Sequence, residues 1–228
     1  ELCGARLTFN YMRIGGVAWD LPPGYAEKVL GYLDHFEPVI DEINSLLSYN
    51  KIYTERMGNV AVVSADMAKA YNLVGPNLRG SGVRYDLRKD RPYSVYEDFD
   101  FDVPVGTGEQ GTVGDCWDRY MVRINECRES AKILRQAIEQ IPDGPVIAKV
   151  PRNFKPPAGD THIRVESARG DMSWYIVSDG SEYPYRVHVR TGSFAAMSII
   201  DSLAYGLMIA DLVAVIASFD IVAPEVDR

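Results

Sequence analysis

The sequence predicts a mainly α-helical chain with a small antiparallel β meander (α+β), and three observations carry that prediction. Two stretches, one after Pro22-Pro23 and one from Asp115 to about Ile141, repeat apolar residues at the helical period. Residues 163–190 switch to alternation interrupted by two turn signals. A late apolar run, Leu207 to Phe219, contains Asp211 and falls short of the ~18 residues that span a bilayer, so it reads as part of a core helix. No internal repeat or low-complexity segment divides the 228 residues. A single domain over 1–228, with the meander inside it, is the expected organisation.

The elements follow in order. "ELCGARLTFNYMRIGG" sets Leu2, Ala5, Phe9 and Met12 at helical spacing, with no cap and no initiator methionine. It predicts a first helix ending at Gly15-Gly16, in a chain whose beginning is missing or supplied by another polypeptide. Val29, Leu33, Phe36, Ile40, Ile43 and Leu47 mark the inner face of the second helix, with a kink expected at Pro38. "NLVGPNLRGSGVRYDLRKDRPY", rich in glycine and arginine, reads as a loop. Asp115 is a suitable N-cap for the long helix. Trp117, Met121, Ile124, Ala131, Leu134 and Ile138 form its buried face, and Arg119, Arg123 and Glu126 fall mostly on other faces. In the meander, Ala168 to Asp171 and Ser178 to Gly180 supply the turns. Asp201 to about Ser218 is apolar nearly all round and is expected to be buried.

Composition narrows the function. A net charge of -8 argues against nucleic acid or an anionic membrane surface as the main partner. Cys3, Cys116 and Cys127 make an odd set without a C-x-x-C pair, which fits a reducing compartment and offers no zinc or iron–sulfur nest. His35, His162 and His188 have no metal-ligand spacing, and no G-x-S-x-G elbow occurs. "VGTGEQGTVGD" contains a letter-perfect G-x-G-x-x-G at Gly106, Gly108 and Gly111. Its context is wrong: Phe99 to Pro104 alternates apolar with acidic and carries a proline, and the helix opens only at Asp115. A surface loop leading into the helix is expected there, not a nucleotide site. "EDFDFDVPVGTGE" imitates a calcium loop but has Val103 where the turn needs glycine. The tail "SFDIVAPEVDR" sets Asp220, Glu225, Asp227 and Arg228 among apolar residues directly after the apolar helix, where charges need partners. The chain is not expected to be catalytic alone.

"NYMRIGGVAWDLPPG", "GPNLRGSGVRYDLRKDRPYSVYEDFDFDVPVG", "GDCWDRYMVRINECRES", "YIVSDGSEYPYRVHVR" and "MIADLVAVIASFDIVAPEVDR" closely resemble the D-subunit family of NADH-quinone oxidoreductase, respiratory complex I. The resemblance runs in order over the chain and covers the later part of that family's sequence. It implies the [NiFe]-hydrogenase large-subunit fold, without that group's metal-binding cysteines. It implies a peripheral-arm protein lying on the membrane arm, on the cytoplasmic face of a bacterial inner membrane or the mitochondrial matrix face. Such a protein forms the quinone cavity with the partner holding the terminal iron–sulfur cluster, in a translocase that couples quinone reduction to proton translocation. The chain itself would bind no cofactor; quinone is the substrate, and iron–sulfur clusters and FMN belong to partner subunits. The family's quinone-cavity positions carry over to Asp220, Val222, Ala223 and Arg228, the last near the cluster. Relatives often have a bulky residue and glycine where this chain has Ala223-Pro224, which changes the shape of that wall. Arg13, Gly15 and Gly16 match a family loop near a partner interface. The headgroup-contacting His and Tyr of the family belong to an earlier segment. Two other readings stand beside this one: the same fold in a ferredoxin- or deazaflavin-dependent relative or a membrane-bound hydrogenase, and a non-catalytic assembly scaffold.

Overall fold

The computed structural model describes all residues except Ala5, Thr8, Arg152 and Arg228. The predicted first helix does not form. The described residues before Tyr11 make turns and bends, then β1 (Met12–Arg13) pairs antiparallel with β2 (Gly16–Val17). Ala5, one of the positions that suggested a helix, lies outside the described residues. A short uncapped segment cannot offset the cost of helix nucleation. Gly15, at φ 90°, turns the hairpin.

Helix α1 (Tyr25–Ile43) follows, with Pro38 inside it and Val29, Leu33 and Ile40 buried. It passes into a π-helical turn, Asn44–Ser48, in which the Tyr49 N–H reaches the Asn44 carbonyl at 3.1 Å. The wider turn breaks the 3.6 period, so Leu47, expected inside, is 59% exposed. The short helices α2 (Lys51–Met57) and α3 (Ala65–Ala70) are N-capped by Asn50 and Ser64.

The region expected to be a loop contains α4 (Gly75–Gly80) and α5 (Leu87–Asp90), and all six residues of α4 are buried. Its glycines serve close backbone approach. A Cβ on Gly75, at φ 60°, would lie 2.6 Å from the Gly170 nitrogen. The long helix α6 spans Cys116–Gln140, with the Asp115 carboxylate accepting the Asp118 N–H at 2.9 Å as its cap. Trp117, Met121 and Ala131 are buried as predicted; Leu134 is exposed. The placing of Arg119 and Arg123 off the buried face is overturned: Arg119 is fully buried and Arg123 half-buried.

The meander comprises β3 (Gly159–Ser167), β4 (Gly170–Ser178) and β5 (Arg186–Arg190), antiparallel in the order β3-β4-β5. Glu166 pairs with Asp171 and Ser173 with Arg190 in the register, so one face collects charged residues. The predicted last helix is two helices, α7 (Gly192–Ala204) and α8 (Ile209–Phe219), separated by a bend in which Gly206 takes φ 83°. It is also not wholly buried. Val215 and Phe219 enter the core, whereas Ile209 (85%) and Val213 (65%) face outward, because only one side of α8 meets α2, α6 and α7. A last turn, α9 (Ala223–Val226), takes Pro224 in its first positions. The main core joins Met57, Val63, Leu78, Trp117, Ile199 and Phe219 from six stretches of chain.

Candidate functional site at the C-terminal turn

Asp220 ends α8 in the left-handed conformation (φ 51°, ψ 53°), a strained state for a non-glycine residue but one Asp tolerates. This turn aims its carboxylate between two guanidinium groups. Arg169, in the tight β3–β4 turn, donates from Nη2 to Oδ1 at 3.1 Å, and Arg123 of α6 sets Nε 3.9 Å from Oδ2. Arg123 is held by backbone: its Nη1 donates to the Ser218 and Arg119 carbonyls at 2.6 and 2.8 Å, and its Nη2 to Asn77 Oδ1 at 2.8 Å. The Asn77 amide in turn donates to the Phe219 carbonyl at 3.1 Å. One polar atom is left over: Arg123 Nε is buried and has no hydrogen-bond partner.

Beneath this pair, Arg119 binds Ser218 Oγ and the Ala61 and Gly114 carbonyls, and its guanidinium stacks over the Phe219 ring at 4.4 Å. Burial pushes its pKa down, opposed by Cys116, Asp115 and Asp118. Burial also draws Arg123 down to about 10; Asp220 holds it up, while Arg119 pushes it further down. Arg123 remains cationic at neutral pH, and Asp220 offsets part of its desolvation cost.

A cavity of about 380 Å³ opens beside this cluster, lined by Tyr53, Met57, Tyr120, Arg123, Ser218 and Asp220 with Ala217. Tyr53 and Tyr120 meet edge-on at 5.0 Å and form its aromatic wall. Burial first, then Tyr120 and Cys116, raise the Tyr53 phenol, which stays protonated. The size falls within the range of small-molecule sites.

The other predicted positions divide. The Val222 N–H donates to Ser193 Oγ at 3.2 Å, and Glu225 accepts from Ser193 Oγ at 2.6 Å, so α7 anchors the tail just past Asp220. Ala223 opens α9. Arg228 lies outside the described residues. Arg13, Gly15 and Gly16 sit apart in the β1–β2 hairpin, which packs on the Val146–Val150 segment; none of them lines the cavity. The sequence did not reveal Arg123, Arg169, Tyr53 or Tyr120. One signal was available: Arg119, Arg123 and Glu126 recur at helical spacing and make a charged stripe that a buried network would need.

That network continues on the far side of Arg123. Arg79, 2% exposed, donates from Nε to Glu126 at 2.6 Å and from Nη1 to Glu166 at 2.9 Å, with Asp86 at 3.5 Å. The glycine-rich loop is likewise committed internally. The N–H groups of Thr107, Gly108 and Gly114 donate to the Asp118 carboxylate at 3.0–3.2 Å. The donors a nucleotide phosphate would need are therefore already occupied by an anion.

Among the described residues no group of three or more His, Cys, Asp or Glu could hold a metal ion, and no helix is long and apolar enough to cross a membrane. The site class is an arginine-framed carboxylate beside an aromatic-walled cavity, on a helical body with a small sheet. The chain belongs to the family of the respiratory-chain NADH dehydrogenase 49 kDa subunit, whose model matches residues 1–153 and 148–228. That family fits the hydrogenase-like architecture expected from the sequence. The chain is 58% identical over 231 residues to the NADH-quinone oxidoreductase D-subunit 2 of Sorangium cellulosum, covering 100% of this chain and 59% of that protein. It is 59% identical to the D-subunit 2 of Anaeromyxobacter dehalogenans, with 100% and 60% covered, and 50% identical to the D-subunit of Bacillus mycoides, with 100% and 61% covered. The chain thus spans about three fifths of the length of these curated relatives.

Proposed function

We propose that this chain acts as the D-subunit component of a proton-translocating NADH:quinone oxidoreductase, and that its C-terminal turn forms part of the quinone-reduction cavity. The observation that carries this reading is Asp220 held between Arg123 and Arg169, with Arg123 and Asp220 on the wall of a small-molecule-sized cavity. It stands in the segment that resembles the family's quinone-cavity tail. Reduction of a quinone consumes two electrons and two protons, and negative charge develops on its oxygens before the protons arrive. The Arg123 guanidinium lining the cavity stabilises that charge, with Arg169 bound to Oδ1 of the same Asp220. The Asp220 carboxylate keeps the two cations oriented and accepts from a quinol hydroxyl. The electrons come from an iron–sulfur cluster in a partner subunit.

In this reading Val222 and Ala223, which follow Asp220 but do not line this cavity, shape the adjoining surface of the quinone site, and Arg13, Gly15 and Gly16 meet a neighbouring subunit. The chain is peripheral on the membrane, lying over the membrane arm of the complex. The test is Asp220→Asn in the purified complex. Quinone reductase activity should fall at least about tenfold, while electron transfer from NADH to an artificial acceptor stays at the parent rate. Equal and unchanged activities on both acceptors would remove Asp220 from the quinone site.

A further inference from the structure

The cavity has a built-in direction of hydrogen bonding that its lining residues alone do not reveal. Ser48, fully buried at the end of the π-helical turn, donates its hydroxyl proton to Asn44 Oδ1 at 2.8 Å. An amide oxygen can only accept, and a serine carries one hydroxyl proton. At its second contact, 2.8 Å from the Tyr120 hydroxyl, Ser48 must therefore accept. Tyr120 gives its only proton to Ser48 and keeps acceptor capacity alone. Tyr120 lines the cavity that Asp220 and Arg123 also line. π-helical turns carry a cost in local geometry and are concentrated at functional sites, and this one supplies both residues that orient the phenol.

We propose that the Asn44–Ser48–Tyr120 chain makes the cavity selective for the quinol over the quinone. The proposal rests on the quinone reading above and adds a redox preference to it. A quinone presents carbonyl oxygens, whose lone pairs face those of Tyr120 without a proton between them. A quinol presents O–H groups that Tyr120 and the Asp220 carboxylate can both accept. The donor-bearing residues lining the cavity, Arg123 and Tyr53, pair equally with an oxygen of either form. The acceptors therefore set the preference. Ser48 and Asn44 act only through Tyr120, as positioning residues.

Two variants separate this from a merely structural role, read in the purified complex with a short-chain quinone and its quinol as product inhibitor. Ser48→Ala releases the Tyr120 proton, so the phenol can donate into the cavity as well as accept; the KM for quinone should fall by about fivefold while the quinol Ki moves by less than about twofold. Tyr120→Phe keeps the ring and deletes the oxygen. It should raise the quinol Ki by about fivefold, and the quinone KM should fall slightly as the facing lone pairs are removed. The opposite pattern, tighter quinol binding in Ser48→Ala, or identical shifts in both variants, overturns the proposal while leaving the quinone reading intact if Asp220→Asn still loses activity. If Asp220→Asn also behaves as the parent, the quinone reading itself falls, and the preference with it.

Discussion

Replacing Arg79 by methionine should cost about 3–5 kcal/mol of stability. Arg79 is 2% exposed and is shared by three carboxylates, of which Asp86 is 1% and Glu166 4% exposed. At an effective dielectric near 20, a unit pair at 2.9 Å contributes roughly 6 kcal/mol, and desolvation of the partners removes several kcal/mol of that. Methionine fills much of the volume, so little of the loss is cavity formation. The remainder is the penalty for leaving Glu126, Glu166 and Asp86 facing one another with Arg88, which sits 2.7 Å from Asp86, and Arg123, which acts on Glu126. Denaturant unfolding read at fixed m-value gives the number. Adding Glu126→Gln and Glu166→Gln to Arg79→Met should return at least half of it, since neutral partners no longer repel. A loss under about 1 kcal/mol in the single variant, or no recovery in the triple variant, would refute the charge-isolation argument and point to simple packing.

Two further outcomes follow from particular glycines, and one from a carboxylate. Gly170→Ala sets a Cβ 2.7 Å from the Gly75 Cα at a φ of 110°, and should destabilise by about 2 kcal/mol or more. Gly31→Ala, in open space within α1, should stabilise by about 0.5–1 kcal/mol in the same unfolding assay. For pH, burial works to raise the Asp86 carboxyl, but hydrogen bonds from Arg88 and the charge of Arg79 outweigh it and hold it below its usual value. Its folded pKa being depressed, Asp86 contributes stability above its unfolded value near ~4, and that stability is lost as pH falls through the folded value. An acid titration should therefore show a shallower stability loss below about pH 4 in Asp86→Asn than in the parent.

What could be read in the sequence is what depends on neighbours along the chain. The cap at Asp115 and the span of α6 rest on local hydrogen bonding and periodicity, and both stand to within a residue. The meander is legible for the same reason, its hairpins being set by turns of two to seven residues. The stretch after Tyr71 misleads because glycine and arginine together resemble solvated loop. Here the glycines let α4 touch β4, and Arg79 is buried because carboxylates from α6 and β3 arrive to meet it. At the first segment, four apolar residues at helical spacing suit a helix, yet Gly15-Gly16 favours a hairpin over an uncapped turn. The π-helical turn has no signature in the periodicity; it shows only as a face that slips at Leu47. The candidate site was half legible. Asp220 stood out as a charge after an apolar helix, but its partner Arg169 is 51 positions away, and the Asn77 that braces Arg123 reaches Phe219 across 142. Pairings of that length are decided by packing, which a single sequence does not display.

The two-sided character of α8 bears on how the chain is made. This helix is synthesised after α2, α6 and α7, so the surface that receives Val215 and Phe219 already exists when it leaves the ribosome. Its inner side can dock at once. Ile209 and Val213 then remain as a greasy outer strip that no later residue of the described chain covers. An exposed apolar strip of this kind is an association hazard for a nascent chain. Yield in a heterologous host should accordingly track the supply of holdase chaperones or of co-translated neighbours more closely than it tracks folding temperature.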